Sequence, residues 1–558
     1  MLLVSMRSFV NIFFLLAFLL FLPLFAFVLE GQTVYVPLNH QVYDFLDRME
    51  IKHVLPVVHN NTKPMTRLEI GEQLGRILSS SGKALSRTDQ ELLHYFAFLF
   101  AEEISTDSEK SDTSRWATLR RHACIDPWAP DLLYKNGRDF VHLSDGPLDL
   151  FINPVFLRRY RFSASDSAGF TGEASNGLSI WGTLGDVLGF FSDVRDTKEW
   201  GDGDYPGEIN LTRPGLGFVR GGGDHLYHDE TVASVVFSHK YLTLQLGKDE
   251  NRWGPGYRGQ LTLSDAATSY DQVKLQIRTS RIKFTSLLAW MKHYTADFFY
   301  GTHQEKSFAA HRLEVSPWTW FDLGLSETVV FSGRRWEISY ITPVMFFRSA
   351  EHYHGDRDNA TISVDWVVKA VSHMAFYGEW FIDDLKTSRL GSDFYGNKHA
   401  WLFGVRWADP FGLDDVDFVA EYARIRPYTY SHKFQSTNYT HYNTLLGHWS
   451  GPNSDDFFTC VKYRYSKRLS VSFFYEKRRH GQNTASYNAG GDVAFPPTTP
   501  ADARFLGGNL QRGNRMGGTL EYRLLPVGYM GLQYMRDWNN RAVSEAGSCL
   551  QLSFSLNY

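Results

Sequence analysis

The sequence predicts an all-β transmembrane antiparallel barrel of about eighteen strands, preceded by a small α-helical bundle and a secretory leader. Three observations lead there. From about residue 139 apolar and polar residues alternate with period two, in runs of about ten, the length a tilted strand needs to cross a bilayer. Aromatic residues gather near the ends of these runs, as interfacial girdles do. The chain finishes on one such run: Leu550, Leu552, Phe554, Leu556 and Tyr558 alternate with Cys549, Gln551, Ser553, Ser555 and Asn557.

Composition narrows the alternatives. The chain has 558 residues, a net charge of −4, 15% aromatic residues and 46 glycines. Its mean hydropathy of −0.29 excludes a bundle of membrane helices. There is no basic excess of the kind nucleic acid demands, so no nucleic-acid partner is expected. The three cysteines, Cys124, Cys460 and Cys549, fit no metal-ligand spacing. A Cys460–Cys549 bridge depends on whether the fold brings the two together.

In chain order, Arg7 precedes the apolar run 9–28, which reads as a signal peptide over residues 1–31. A retained signal anchor is the alternative, since the run is long enough to span. Residues 32–138 carry helical periodicity. Val42, Phe45, Leu46 and Met49 share one face. Thr66 and Glu69 form a capping box, followed by Ile70, Leu74, Ile77 and Leu78. Ser86 and Asp89 mark a further N-cap, before Leu92, Leu93, Phe96, Leu99 and Phe100.

Residues 139–558 are assigned to the barrel. Strand runs begin near 148, 178, 232, 241, 272, 282, 308, 320, 340, 360, 373, 398, 416, 457, 469, 515, 527 and 549. Polar inserts near 196–230, 426–456 and 479–513 are rich in Gly, Asn, Asp, Pro and Tyr and read as outer-face loops. Within the runs Lys274, Arg278, Arg406, Lys462, Arg464 and Arg478 face inward. Asp365, Glu379, Asp383, Asp417, Glu421 and Glu521 answer them with opposite charge, which favours a salt-bridged, blocked lumen over a cationic track.

One stretch breaks the alternation, residues 247–264, GKDENRWGPGYRGQLTLS. Gly254, Pro255, Gly256 and Gly259 force the backbone out of regular pairing. Asp249, Glu250, Arg252, Trp253 and Tyr257 stand beside the break. Aromatic rings next to charged groups suit a sugar-binding surface; they equally suit a bend that plugs the lumen. The segment RPYTYSHKFQSTNYTHYN supplies Tyr428, Tyr430, Tyr439 and Tyr442, each with an apolar face and a polar tip suited to sugar rings.

The run Arg252-Trp253-Gly254-Pro255-Gly256, then Gly259 and Leu261–Ser264, resembles the signature of the Wzi family of capsule-assembly outer-membrane proteins. The segments VPLNHQVYDFLDRMEIKHVL and PMTRLEIGEQL are similar to the helical part those proteins carry before the barrel. The final strand ending on Tyr558 resembles the C-terminal signal of bacterial outer-membrane barrels. The resemblance implies a barrel of about eighteen strands in the bacterial outer membrane, with its helical part in the periplasm. It also implies a lectin-like role in holding capsular polysaccharide to the cell. The expected partners are then surface polysaccharide and outer-membrane lipid, with the export machinery a further candidate.

An outer-membrane porin passing small solutes is the competing reading. An enzyme is not expected: no GxSxG, HExxH or P-loop pattern occurs, and no carboxylate pair stands out. His225, His228 and Asp229 lie close in sequence, yet such a cluster in a loop is ordinarily solvated, so no metal is expected and no cofactor.

Overall fold

A computed structural model describes residues 33–56, 59–80, 85–104, 138–164, 169–185, 187–202, 219–222, 225–239, 241–293, 304–442, 444–497, 502–525, 527–538 and 547–557. The signal segment 1–31, Cys124 and the terminal Tyr558 lie outside the described residues.

The N-terminal helices follow from their caps and stripes. Helix α1 (Val42–Ile51) buries Val42, Phe45, Leu46 and Met49. In α2 (Arg67–Ser79) the Thr66 hydroxyl accepts from the Glu69 N–H while the Glu69 carboxylate accepts from the Thr66 N–H, a complete capping box. The Ser86 hydroxyl caps α3 (Arg87–Leu99) by accepting from the Asp89 N–H. A single turn, α4 (Ala101–Ile104), follows. Their apolar faces meet in one core containing Tyr43, Leu46, Leu74, Phe96 and Phe100.

Eighteen antiparallel strands close the barrel. They are β1 (Leu148–Ser163), β2 (Phe170–Leu184), β3 (Leu188–Gly201), β4 (His225–His239), β5 (Leu242–Asp249) and β6 (Tyr270–Arg278). Next come β7 (Ile282–His293), β8 (Gln304–Trp318), β9 (Phe321–Ser332), β10 (Asn359–Val368), β11 (Met374–Asp384) and β12 (Lys398–Ala408). The last six are β13 (Val416–Ile425), β14 (Ser454–Arg464), β15 (Leu469–Gln482), β16 (Asn509–Leu525), β17 (Gly528–Trp538) and β18 (Ser548–Leu556). Each pairs with its neighbours in sequence, and β18 pairs with β1, Leu550 opposite Phe162, to close the ring. Closure leaves no unpaired edge, which a strand in lipid requires. Two short pieces, Val141–Asp145 and Arg220–Gly222, add to β1 and β4.

The period-two pattern sorts side chains as the sequence implies. Lys274 and Gln276 are buried in the lumen while Ile277 is exposed on the outside. Outward Leu178, Phe237, Leu246, Phe403, Phe473, Met516, Leu532, Leu550 and Leu552 make the exterior largely apolar. Tight turns join strands at one end, where the helices dock; longer segments join them at the other. We call these the helical end and the loop end.

Two strand expectations are corrected, and the errors cancel in the count. The apolar run near 340 is no strand: residues 338–353 form two short helices, α5 (Ile338–Ile341) and α6 (Phe347–Tyr353), on the outside of the wall. The stave β3 has no counterpart among the expected runs, because Asp196 and Lys198 on its outward side interrupt the apolar alternation. For the same reason the inserts placed at 196–230 and 479–513 are shorter, since β3 reaches Gly201, β15 reaches Gln482 and β16 begins at Asn509. The Cys460–Cys549 bridge does not form. Cys460 on β14 and Cys549 on β18 are four strands apart, roughly 19 Å at the usual strand spacing, too far for a disulfide.

Candidate functional site

The lumen is filled by protein. Residues 250–269 leave β5 and turn into the barrel. From the loop end residues 426–453, between β13 and β14, fold in to meet them. Trp253, Leu261, Leu263, Tyr430, Tyr439 and Leu446 are fully buried in a core shared with Phe308, Val330, Phe381 and Leu402 from the inner wall. The glycines make this approach possible. Gly254 has a φ of 122°, and a Cβ there would stand 2.8 Å from the Glu379 carboxylate; at Gly256 it would stand 1.9 Å from the Gly259 carbonyl.

Wall carboxylates hold the inserted backbone. Glu379 accepts from the Leu261 N–H (2.9 Å), the Thr262 N–H (2.8 Å) and the Thr262 hydroxyl (2.6 Å). Glu421 accepts from the N–H groups of Tyr257 (2.6 Å) and Arg258 (2.9 Å) and from the Tyr377 hydroxyl (2.9 Å). Arg406 donates to the Pro255 carbonyl at 2.7 Å. These inward charges therefore serve the plug more than one another. Arg464 and Asp417 do pair directly, at 2.5 Å. By contrast Arg278 bonds Glu69 and Glu72, Arg406 bonds Asp47, and Lys462 bonds Asp44, all carboxylates of the N-terminal segment.

That segment enters the lumen from the helical end. Thr62 and Lys63 pair as a two-residue strand with Trp253 and Arg252. The Gly254 N–H donates to the Asn61 carbonyl, and the Thr62 hydroxyl bonds both Glu314 and Arg312 of β8. Arg48 on α1 forms a buried hub with Asp89 (2.9 Å), Asp409 (2.5 Å) and Asp417, and Lys52 adds bonds to Asp89 and Asp409.

The sequence candidates separate into distinct settings. Asp249 accepts from Gln245 and from the Glu250 N–H at the top of β5. Arg252 pairs with Asp265 at 3.5 Å. Trp253 is fully buried, its backbone N–H bonded to the Leu263 carbonyl. Tyr257 stacks on Phe458 and faces a cavity of about 50 Å³ at the helical end, lined also by Asp47, Arg48 and Arg406. Tyr430 donates to the Leu261 carbonyl (2.9 Å) and Tyr439 to the Thr262 carbonyl (2.8 Å). Tyr428 donates to the Asn488 carbonyl, and the Tyr442 N–H donates to the Lys292 carbonyl. Instead of lining a solvated outer loop, Tyr428, Tyr430 and Tyr439 are buried, and Tyr442 is half-buried. Tyr428, Tyr430 and Tyr442 hold positive φ angles of 62°, 76° and 54°, a strain bulky residues accept only where surrounding bonds fix them.

His448 closes the plug. It is fully buried; its backbone N–H donates to the Tyr430 hydroxyl at 3.2 Å, and its imidazole Nδ1 bonds the Ser450 hydroxyl at 2.8 Å. Burial, with Arg258 and Arg478 nearby, pushes its imidazole down to about 3, so it is neutral at ordinary pH.

Above the plug, three connecting segments form a cap. The Tyr428 N–H donates to Gly490, Gln435 to the Ala494 carbonyl, Asn438 to the Val493 carbonyl, and the Ala503 N–H to Asp393. The surface left outside carries Phe434 (50% exposed), Tyr487 (41%) and Phe495 (57%). Cations accompany the cap rings: Lys433 lies 5.7 Å from Phe434, Arg389 4.7 Å from Phe394 and Arg424 4.0 Å from Phe505. The sequence reading missed these groups. The Lys433-Phe434 pair and the rings within 479–513 carry their signal in the sequence, beside a denser run of tyrosines.

For metals, strand alternation puts His228 on the face opposite His225 and Asp229. His228 instead bonds Glu199 at 2.9 Å. Among the described residues, Glu351, His352 and Asp356 bring ligand atoms within 4.8 Å of one another, but Glu351 is already bonded to Arg348.

Comparisons with known proteins agree with this architecture. No curated protein matches the chain. Among solved structures it is similar to Wzi of Escherichia coli, described as an outer-membrane protein involved in group 1 capsule assembly and a carbohydrate-binding β-barrel. The TM-score is 0.56 and the identity 14%, over 95% of this chain and 100% of that one. It also overlaps OccD3 (OpdP) and OprD of Pseudomonas aeruginosa, at TM-scores of 0.42 and 0.40. Their identities are 11% and 10%, over 73% and 75% of this chain and 90% and 96% of theirs. The family model described as capsule assembly protein Wzi matches residues 173–543. The chain belongs to the Wzi family of capsule assembly proteins, outer-membrane β-barrels.

Proposed function

We propose that the protein binds capsular polysaccharide at the cell surface through its loop-end cap and so helps attach or assemble the capsule. The observation that carries this reading is a lumen filled by residues 250–269 and 426–453 beneath a cap that exposes aromatic rings beside cations. A filled barrel serves poorly as a solute channel. Rings offer apolar faces to sugars, and Lys433, Arg389 and Arg424 attract acidic groups on the polymer. The loop end then faces outward and the helical end faces the periplasm. On this reading the helices there meet export machinery, and the apolar exterior meets outer-membrane lipid. The role is binding, with no catalytic step.

Asp249, Glu250, Arg252, Trp253, Tyr257 and the four tyrosines then act on the glycan indirectly, by fixing the plug on which the cap rests. Retention of the producing strain's capsular polysaccharide by the purified protein tests the proposal. The triple variant Phe434→Ala, Tyr487→Ala, Phe495→Ala is expected to lose about tenfold or more in affinity, at about 0.5–1.5 kcal/mol per ring. Unchanged retention would overturn the cap as the binding surface.

A further inference from the structure

The connection between β9 and β10 does not enter the lumen. Asp356 near its end bonds Lys433 of the cap, while the segment before it folds back down the outside of the wall. Leu288, Ala309, Val329, Phe331 and Ala360 form a buried cluster with Tyr340 of α5 and with Phe347 and Ala350 of α6. On β8 the lumen side belongs to Phe308, Ala310 and Arg312, so Ala309 and His311 point outward. His311 lies against the Phe347 ring, at 4.1 Å between centroids. Its cross-strand partner Glu327 accepts from the Arg348 N–H at 3.1 Å. Two ionisable residues side by side on the outer wall are thus covered by α6.

Their height places this cover within the bilayer. Trp318 and Trp320, exposed and stacked at 5.3 Å, mark the aromatic rim at the helical end. His311 is seven residues further along β8, roughly 18 Å above that rim at about 3.3 Å per residue and about 40° of tilt. The apolar band of such barrels is about 25 Å tall. Residues 338–347, ISYITPVMFF, contain no charge, and the tip between α5 and α6 exposes Val344 (91%) and Phe346 (55%), with Ile338 at 79%. Full solvent exposure of these side chains at that depth has no counterpart in water; continuity with the lipid-facing exterior supplies one.

We propose that residues 338–347 form a side-on membrane anchor, inserted among the acyl chains of the leaflet at the loop end. The charged groups Arg334, Arg335 and Glu337 precede the apolar tip and Arg348 follows it, so they bound the inserted segment. The anchor also shields His311 and Glu327 from lipid, which lets two polar residues occupy an outward position.

Fluorescence quenching in phosphatidylcholine vesicles tests this. Val344→Cys and, as reference on the cap, Thr484→Cys are each labelled with bimane in the full chain with Cys124, Cys460 and Cys549 replaced by serine. Heat-shifted gel migration checks that the barrel is closed. A nitroxide on the lipid acyl chain is expected to quench the label at 344 several-fold more than that at 484, and iodide the reverse. Equal access of iodide to both labels would overturn the proposal in favour of a water-exposed loop. Protection of 344 from both quenchers would overturn it in favour of a covering protein, a second copy or a partner. Val344→Asp in the native-cysteine chain gives a second readout: an aspartate is harmless in water but costly in lipid, so thermal unfolding in vesicles should fall for Val344→Asp and hold for Thr484→Asp. An unchanged transition for both would count against insertion.

Discussion

Glu379 shows how much of the interior depends on single carboxylates. It accepts three hydrogen bonds from the Leu261–Thr262 segment, and Gly254 packs against it. Glu379→Ala strands two buried N–H groups, at about 1–3 kcal/mol each. Hydrogen exchange at the Leu261 and Thr262 amides is expected to quicken by roughly tenfold to a hundredfold or more, with Glu379→Gln intermediate because one acceptor remains. Exchange unchanged in Glu379→Ala would show that the plug is held elsewhere. His448 adds a pH dependence. Its folded pKa, about 3, lies below the unfolded value of about 6.5. Its contribution is therefore complete above about pH 6.5 and is lost progressively as pH falls toward 3. Protease sensitivity of residues 426–453 should rise across that window, and His448→Gln should flatten the rise. At this scale the sequence was legible where geometry is local, as in the Thr66–Glu69 box. It was misleading at Tyr430 and Tyr439, because a ring with a hydroxyl tip suits a sugar and a buried carbonyl equally well.

Among elements, the docking of α1 against the barrel rests on Arg48. Burial alone would raise the carboxyl pKa values of Asp89 and Asp409, but their ion pairs with Arg48 and Lys52 outweigh it and hold both below the usual range. Folded values below the unfolded one mean stabilisation that is present above about pH 4 and lost as pH falls through the folded values. Arg48→Ala leaves Asp409 and Asp417 short of a buried partner, a loss of about 3–5 kcal/mol. Amide exchange across α1 to α3 should quicken in Arg48→Ala at pH 7, while the wall strands stay protected; slow exchange in the helices would exclude Arg48 as the clamp. Strands were readable because period two survives on most staves. The exceptions have physical causes. Charged outward residues hid β3, and a short apolar run at 338–347 does not distinguish strand from helix.

For the whole molecule, the filled lumen predicts near-silence in planar bilayers. A large steady open current from the unmodified protein would favour a solute channel over a closed binding barrel. Brief openings are expected to appear in Glu379→Ala, where the plug is loosened. The eighteen-strand closure was legible from run counting and the alternating C-terminal strand. The opposed inward charges pointed to a blocked lumen but not to what fills it. The core that residues 250–269 and 426–453 build against the wall, and the pairing of Arg278, Arg406 and Lys462 with the N-terminal carboxylates, are visible only in space.

The two-residue ladder between Thr62–Lys63 and Arg252–Trp253 has a mechanical meaning. Tyr430 and Tyr439 tie the cap segment to Leu261 and Thr262, the Trp253 backbone N–H is tied to the Leu263 carbonyl, and Thr62 leads directly into the capped start of α2. A tether therefore runs down the barrel axis from the cap to the helices. Drag on a polymer held outside would load this internal strut as well as the wall, and the helices at the far end would feel the tension.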